Sequence, residues 1–317
     1  MKKVLALALC LLLMLSLAAC GGNKNMTMGT GGTAGTYYAY GGVLGNQIKT
    51  ATGINVNVVS TDGSKANILG IDSGNYQLGT VQSDVMAYAA AGTRSFEKEG
   101  KLDSFRVIGG LYAEAVQLIT MDPAIKSVAD LKGKKVSIGA SGSGVYFNAV
   151  DILAAAGLSE SDIQAQYQSF ADSADALKDG KIDAAFIVAG APTPAITELC
   201  LASSATLVPI DGDIATKLMN SSPYYTSYVV PAGTYKGQDA DVTTVTVKAT
   251  LIVSTSASEE DVYNITKAIF DNISTITANH AKGSELSLEN ATSGMTAPFH
   301  KGAAKYFAEK NITVESK

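Results

Sequence analysis

Short apolar stretches alternate with amphipathic helical stretches along most of the chain, and this alternation predicts an α/β protein. The pattern is clearest in residues 27–45 (TMGTGGTAGTYYAYGGVLG), which predict a strand, a glycine-rich loop and the start of a helix. Residues 137–147 (SIGASGSGVYF) repeat this order, with an aromatic pair just inside the helix. The chain therefore contains two similar glycine loops, each between a strand and a helix.

The segment that follows each glycine loop is also repeated. Residues 66–84 and 174–190 each predict a helix, a glycine at the helix end and an apolar strand. The two helix-ending glycines, Gly74 and Gly180, are 106 residues apart. A period of this length is too long for a solenoid and predicts two similar α/β lobes. Because ligands of open α/β sheets bind at the carboxyl ends of strands, we expect the two loops to face a common cleft.

The first glycine loop predicts close contact between the backbone and a small ligand. Gly31, Gly32 and Gly35 are expected to adopt positive φ, and the free N–H groups of the following helix favour a negatively charged group. A dinucleotide is a poorer match, because no acidic residue ends the second strand at the usual distance. Asp62 comes later, in a Gly-Ser turn.

Two long β-type runs predict the connection between the lobes. Residues 106–121 and 242–254 each have the length and composition of a strand that crosses from one lobe to the other, and two crossings form a hinge. We therefore place lobe 1 at residues 27–112 and 252–317, and lobe 2 at residues 113–251.

Four shorter segments complete the sequence-based prediction. Residues 94–105 are charged and irregular, which indicates a surface connection. Residues 166–170 predict a strand, and residues 221–235 are aromatic and rich in turn residues. Pro192 is expected near the start of a helix, where its missing N–H costs nothing.

The N-terminus predicts export and a lipid anchor. Two lysines precede an apolar run over residues 4–17, which is the length of a signal-peptide core and short for a membrane span. Leu17-Ala18-Ala19-Cys20 matches a bacterial lipobox, so residues 1–19 are predicted to be a signal peptide, Cys20 the lipidated residue, and residues 20–26 a tether. The alternative is an ordinary signal peptide with a chance cysteine.

Composition excludes several classes of function. Arg94 and Arg106 are the only arginines and the net charge is −5, which argues against nucleic-acid binding. After removal of Cys10 and lipidation of Cys20, Cys200 has no partner for a disulfide or a metal site, and we expect it to be buried.

No catalytic or metal-binding motif is found. The sequence around Ser141 lacks the last glycine of a GxSxG motif. His280 and His300 are distant from both glycine loops and have no ligand neighbour at i+4. We therefore predict no enzyme activity, no cofactor and no metal.

The candidate ligand contacts are neutral side chains and backbone groups. Of Tyr37 and Tyr38, one is expected in the core and the other at the ligand. Ser141 and Ser143, with the N–H groups of Gly142 and Gly144, are suited to holding a carboxylate. Lys65 either adds one positive charge or is solvated.

The chain resembles the TAXI-type solute-binding subunits of TRAP (tripartite ATP-independent periplasmic) transporters. The matching segments, which cover nearly all of the chain after the signal peptide, are TGGTAGTYY, TDGSKANI, GNYQLGTVQSD, SGSGVYFNA, VAGAPTPAITEL, PAGTYKGQ and VYNITKAIFDN. The resemblance implies an α/β, two-lobed periplasmic-binding-protein fold of type II-like organisation that closes on a small organic acid or amino acid, typically glutamate-like. The ligand residues that the glycine loop and the resemblance together predict are Gly32, Tyr37, Tyr38, Gly63, Ser64, Gln82, Ser141, Gly142, Ser143, Gly144, Asn148, Gly190 and Pro192.

The sequence therefore predicts a monomeric, lipid-anchored extracytoplasmic receptor that binds a small carboxylate and delivers it to a TRAP permease. The alternative in the same class is the substrate-binding protein of an ATP-driven importer of the sulfonate, nitrate or thiamine-precursor type. Two other classes are a secreted enzyme that uses the cleft and a surface lipoprotein that has lost transport.

Overall fold

A computed structural model describes residues 24–317. Within this part of the chain, ten strands form one mixed sheet with the order β2-β1-β3-β10-β4-β7-β5-β6, and β8 and β9 pair with β4 and β10. The strands are β1 Asn25–Gly29, β2 Asn55–Val59, β3 Leu78–Gln82, β4 Phe105–Thr120, β5 Lys135–Ser137, β6 Gln164–Gln166, β7 Ala184–Ala189, β8 Thr206–Val208, β9 Thr226–Val230 and β10 Val242–Ser254.

Helices cover the sheet. They are α1 Thr36–Thr52, α2 Ser64–Asp72, α3 Ser83–Ala91, α4 Val145–Ala155, α5 Phe170–Lys178, α6 Pro194–Ala202, α7 Gly212–Ser221, α8 Glu259–Phe270, α9 Ile273–Asn279, α10 Leu288–Thr292 and α11 Lys301–Glu309. Both predicted strand–loop–helix units are present, as β1–α1 and β5–α4.

Lobe 1 is built on the parallel strands β2, β1 and β3. Tyr40, Leu44 and Ile48 of α1 are fully buried because their i, i+4 spacing places them on one face of the helix, toward the sheet. The helix ends at Gly53, whose φ of 76° is the left-handed conformation that favours glycine. Apolar side chains from the helices and strands of this lobe form one continuous core.

Lobe 2 repeats this arrangement with the parallel strands β6, β5 and β7. Its sheet separates two apolar clusters. Ala149, Ile152 and Leu153 of α4 are fully buried in one of them, and Cys200 of α6 is buried in the other. The expectation that Cys200 is buried is therefore confirmed.

Strands β4 and β10 belong to both lobes. They pair antiparallel along much of their length. Strand β10 also pairs with β3 of lobe 1 and β9 of lobe 2. Strand β4 also pairs with β7 and β8 of lobe 2, and its Val107 forms an isolated bridge with Phe299 of lobe 1. Ala115 of β4 takes part in two pairings: it pairs with Thr246 of β10 on one side and with Ala189 of β7 on the other. The predicted two-lobed α/β fold with a two-strand hinge is confirmed. The exact lobe boundaries stay a prediction.

One local prediction was wrong. The predicted strand at residues 166–170 is β6 at Gln164–Gln166, and Phe170 instead opens α5 because the Ser169 side chain caps that helix, accepting from the Asp172 N–H at 3.2 Å. Pro192 lies near a helix start as expected, two residues before Pro194, the first residue of α6. Residues 221–235 contain the strand β9, which gains its hydrogen bonds from β10.

The chain near residue 24 is part of the fold. Strand β1 begins at Asn25, inside the segment predicted as a tether, because Asn25 pairs with Asn55 of β2. The ammonium group of Lys24 lies 2.6 Å from the carboxylate of Asp261 on α8. The predicted signal peptide and Cys20 lie outside the described residues. In residues 24–317, no helix has both the length and the apolar character needed to cross a membrane.

Candidate ligand-binding cleft

A cavity of about 80 Å³ lies between the two lobes, where both glycine loops meet. It is lined by Gly31, Gly32, Gly35, Thr36, Tyr37, Thr61, Asp62, Gly63, Ser64, Gln82, Glu114, Ala140, Ser143, Gly144, Val145, Gln168, Ser169, Phe170, Val188 and Ala189. The expectation that the two loops share one cleft agrees with this geometry.

The glycines of the first loop leave room for a ligand, and they are not needed for an unusual backbone conformation. The expected positive φ at Gly31, Gly32 and Gly35 was wrong, because none of the three adopts it. A Cβ at Gly32 would meet no atom within 4 Å, so this residue leaves the cavity open. Positive φ occurs at Gly63, where φ is 102° and the chain turns into α2.

The second loop contacts lobe 1 directly. A Cβ on Gly144 would lie 1.5 Å from Oε1 of Gln82, which is on β3 of the other lobe. The Ala66 N–H donates to the carbonyl of Gly142 at 3.4 Å. The structure is therefore a closed form, in which backbone groups of the two lobes touch across the cleft.

A second contact between the lobes lies at the start of α1. The Thr36 hydroxyl donates to the carbonyl of Gly190 at 2.9 Å, and the Ala195 N–H donates to the carbonyl of Ala34 at 3.1 Å. A Cβ at Gly190 would lie 2.8 Å from the Lys282 side chain and 3.0 Å from that of Thr36, so glycine gives room for this close approach. Gly190 thus supports closure without lining the cavity.

A buried polar network crosses between the lobes behind the cavity. Asn148 of α4 accepts from Nε2 of Gln82 at 3.1 Å and donates to Oδ2 of Asp84 at 2.9 Å. Asp84 is fully buried, and the loss of hydration raises the pKa of its carboxyl to about 6. Tyr225 also lies within hydrogen-bonding distance of Asn148. Asn148 therefore joins the lobes, and it does not line the cavity.

A carboxyl group from the hinge forms part of the cavity wall. Glu114 of β4 is only 2 % exposed, and the Tyr37 hydroxyl donates to its Oε1. Desolvation raises the pKa of this carboxyl well above its usual range, although the hydrogen bond from Tyr37 acts in the opposite direction. Sequence reasoning missed Glu114. The available signal was a single acidic residue in the middle of the long apolar run that became β4.

Seven of the thirteen residues predicted at the ligand line the cavity. These seven are Gly32, Tyr37, Gly63, Ser64, Gln82, Ser143 and Gly144. Asn148 and Gly190 lie at the contacts between the lobes described above, and Gly142 contacts Asp62, where a Cβ would lie 3.0 Å away.

The remaining three predicted residues do not line the cavity. Tyr38 follows Tyr37 by one residue, so it points to another side of α1 and is 36 % exposed. Ser141 and Pro192 are also exposed. These three residues are therefore outside the cavity wall of this closed form, and their contact with a ligand stays a prediction.

Basic side chains are absent from the cavity wall among the described residues. Lys65 is directed away, since its ammonium group pairs with Glu99 at 2.9 Å and lies 5.2 Å from the ring of Phe96. Arg94 was predicted in a surface connection, but it forms an ion pair with Asp151 of the other lobe. Electrostatic attraction for an anion must therefore come from backbone N–H groups.

Comparison with known proteins identifies the family. The sequence model of the NMT1-like family matches residues 28–310, which is most of the chain. The chain belongs to the NMT1-like family. The TAXI-type TRAP family suggested by the sequence motifs was wrong, because the match is to this family and the similar solved structures are binding proteins of ABC-type transporters and their relatives.

The solved structures that the NMT1-like chain resembles share its two-lobe fold. PhnD1 from Prochlorococcus marinus in complex with methylphosphonate has a TM-score of 0.56 at 11% identity, over 83% of this chain and 91% of that one. A putative L-cystine ABC transporter protein from Listeria monocytogenes has a TM-score of 0.52 at 17% identity, over 83% and 98%. The alkanesulfonate-binding protein SsuA from Xanthomonas axonopodis pv. citri bound to MOPS has a TM-score of 0.50 at 16% identity, over 90% of each chain.

Family and fold together make the chain a solute-binding protein, which confirms the coarser part of the predicted function. Its prediction as a non-enzyme is in keeping with this class and stays a prediction. The two histidines have structural contacts: Nδ1 of His300 accepts from the Gly302 N–H at 3.2 Å at the start of α11, and the ring of His280 packs against Tyr40. Within residues 24–317, no group of three acidic, histidine or cysteine residues is arranged to hold a metal ion.

Proposed function

We propose that this protein is the extracytoplasmic solute-binding subunit of an ATP-driven importer. The family match supports the class, and the similarity to binding proteins of ABC transporters supports the type of transporter. This is the alternative that the sequence left open. In this role the protein captures a solute outside the cytoplasm and delivers it to a membrane permease that is coupled to an ATPase.

One observation carries this proposal: the two lobes close on a shared cavity and touch each other through short polar and backbone contacts around it. Gly144 leaves room for this close approach because it has no side chain. The backbone hydrogen bond from Ala66 of lobe 1 to Gly142 of lobe 2 is one of the contacts. A ligand that contacts both lobes stabilises the closed form, so ligand affinity and closure are one equilibrium. Closure then provides the signal that a permease can recognise.

The proposed ligand is a small solute with an acidic group, and the carboxylate expected from the sequence belongs to this class. The residues proposed to contact it are Gly32, Tyr37, Gly63, Ser64, Gln82, Ser143 and Gly144. Ser64 and Val145, the first residues of α2 and α4, line the cavity, and no side chain caps either helix. Uncapped N–H groups at a helix start favour negative charge.

The proposed location is the outer face of the cell membrane, with the protein held by a lipid on Cys20. The lipobox at residues 17–20 supports this proposal. Replacement of Cys20 with alanine is expected to release the protein from membranes into the soluble fraction. Retention of the Cys20→Ala protein in the membrane would exclude this form of anchoring.

The proposed function is tested by native mass spectrometry of the protein purified without denaturation. We expect one bound small molecule that is recovered chemically unchanged after prolonged incubation, and calorimetry of the stripped protein should reproduce its binding. Cross-linking in intact cells is expected to capture a permease together with its ATPase subunit. A permease without an ATPase would contradict the importer type, and conversion of the molecule to a product would contradict a binding role.

A further inference from the structure

The cavity has two regions of opposite electrical character. One region consists of helix N-termini, because the residues that precede α1, α2, α4 and α5 all line the cavity. These residues are Gly35, Gly63, Gly144 and Ser169. The three glycines have no side chain that could cap the helix, so the N–H groups of the first two residues of α1, α2 and α4 remain available to a ligand.

The other region is acidic. Glu114 and Asp62 both line the cavity, and no lysine, arginine or histidine does so among the described residues. Glu114 is almost fully buried, with 2 % of its surface exposed. Among the described residues, only Tyr37 donates a hydrogen bond to its carboxylate, at Oε1. A carboxylate withdrawn from water is costly unless a positive charge or several donors compensate it.

Lys282 and Lys65 are paired with carboxylates other than Glu114. Lys282 of the segment after α9 is buried beside Gly190, but its ammonium group is 2.6 Å from the carboxylate of Glu285. Lys65 is paired with Glu99. The cavity wall therefore offers donors for an acidic group of the ligand, and none of the described residues that line it supplies a cation for Glu114.

From this arrangement we propose that the ligand is a small zwitterion, whose protonated nitrogen contacts the Glu114 carboxylate while its acidic group binds at the helix N-termini. This inference rests on the proposed function and narrows the ligand class. Simple anions such as nitrate, unsubstituted sulfonates and dicarboxylates lack the positive group that the hinge carboxylate requires. The hydrogen bond from Tyr37 fixes the carboxylate, so that Oε2 is left for the ligand nitrogen.

The raised pKa of Glu114 fits this role. The Glu114 carboxyl resists ionisation because no basic side chain in the described part of the cavity wall compensates its burial. Tyr37, Tyr112 and Asp84 interact with it, Asp62 lines the same cavity, and none of the four carries positive charge. A ligand ammonium group supplies the missing charge, so ligand binding is expected to release a proton from Glu114.

Matched pairs of compounds test the inference before the natural ligand is identified. Calorimetry compares alanine with propionate, taurine with ethanesulfonate, and 2-aminoethylphosphonate with ethylphosphonate. Each pair differs only by the ammonium group. In at least one pair we expect the aminated compound to bind ten-fold or more tightly than its partner. Equal binding within every pair that binds, or tighter binding of the compounds without nitrogen, overturns the inference.

The Glu114→Gln variant identifies the group that recognises the nitrogen. It is expected to lose most of the difference within a pair, with a smaller change for the compound without nitrogen. Glu160→Gln is the matched control, because Glu160 also accepts a hydrogen bond from a tyrosine, Tyr146 at 2.9 Å, outside the cavity. An unchanged preference in a folded Glu114→Gln protein overturns the assignment to Glu114.

A failure of the zwitterion inference can be distinguished from a failure of the proposed function. If none of the six compounds binds, the small molecule recovered by native mass spectrometry decides: a molecule without a protonatable nitrogen overturns the zwitterion inference and leaves the solute-binding role intact. Should Glu114→Gln fail to fold, the comparison of paired compounds on the unaltered protein still decides. Calorimetry in two buffers of different ionisation enthalpy gives a second measure, since binding should release a proton.

Discussion

Arg94 and Asp151 form a two-pronged ion pair between the lobes: the guanidinium nitrogens lie 2.7 Å and 3.2 Å from the two carboxylate oxygens. Arg94 follows α3 of lobe 1, and Asp151 belongs to α4 of lobe 2. Opening of the cleft must separate them. The guanidinium also lies over the rings of Tyr88 and Phe147, at 5.1 and 5.7 Å, which holds it in place.

Arg94→Ala is expected to weaken ligand binding by favouring the open form. A partly exposed ion pair of this geometry contributes about 0.5–1 kcal/mol, so affinity should fall roughly two- to five-fold. Calorimetry with the ligand identified by mass spectrometry gives the measurement. Lys181→Ala is the control, because it removes an ion pair to Asp179 within one lobe. An effect of Arg94→Ala no larger than that of Lys181→Ala would contradict this role of the Arg94–Asp151 ion pair.

Gly144→Ala is expected to hinder closure while leaving each lobe folded. The backbone at Gly144 is already helical, with φ of −71°, so alanine fits the local conformation. Its Cβ would overlap Gln82 and approach Val85, both of the other lobe, to 2.8 Å or less. Overpacking of this kind costs about 1–3 kcal/mol, which corresponds to a loss of affinity of roughly five- to hundred-fold.

Thermal unfolding without ligand and calorimetry with ligand distinguish closure from folding in Gly144→Ala. We expect an unchanged melting temperature together with weaker binding. Gly42→Ala is the matched control, since a Cβ at this helical position would meet no atom within 4 Å. Full affinity in Gly144→Ala would mean that closure does not need this glycine.

Asp84→Asn is expected to stabilise the closed form at neutral pH. The pKa of Asp84 is about 6 in the fold and 3.8 as the ordinary value, so burial of its ionised form costs stability that grows between pH 4 and 6 and persists above. Two pKa units correspond to at most about 3 kcal/mol. The melting temperature of Asp84→Asn should exceed that of the unaltered protein at pH 7.5, and the difference should shrink toward pH 4.

The sign of this pH dependence provides the check. Asp179 is exposed and its pKa is lowered by Lys181, so Asp179→Asn is expected to gain no stability at neutral pH. The two substitutions should therefore differ in direction at pH 7.5. A gain from Asp84→Asn that is constant from pH 4 to 7.5 would indicate a cause other than the ionisation of Asp84.

Tyr37→Phe and Tyr38→Phe are expected to differ. Loss of the Tyr37 hydroxyl removes the hydrogen bond that orients Glu114, and a hydrogen bond to a charged group contributes about 1.5–3 kcal/mol. The affinity for an aminated ligand should therefore fall at least ten-fold in Tyr37→Phe. Tyr38 is outside the cavity wall, so Tyr38→Phe should bind normally. Equal effects of both substitutions on calorimetric affinity would contradict this division.

The sequence alone determined the fold and the position of the two loops. The repeated order of strand, glycine loop and helix depends on local patterns that a single segment contains, and so does the apolar character of the hinge strands β4 and β10. For the same reason seven of the predicted ligand residues line the cavity. Sequence motifs indicated the wrong transporter family. Short glycine-rich segments depend on the fold, and they do not depend on which membrane permease the protein serves.

Only the tertiary structure decided which side chains enter the cleft. Tyr37 and Tyr38 are equivalent in sequence, but the rotation of about 100° between neighbours on a helix places one in the cavity and the other in solvent. In the sequence, Glu114 is a single acidic residue within an apolar strand. The structure shows that this strand lies between the lobes and that Glu114 lines the cavity. Its partners come from residues far away in the chain, and the charge balance of a cavity depends on those distant contacts rather than on local composition.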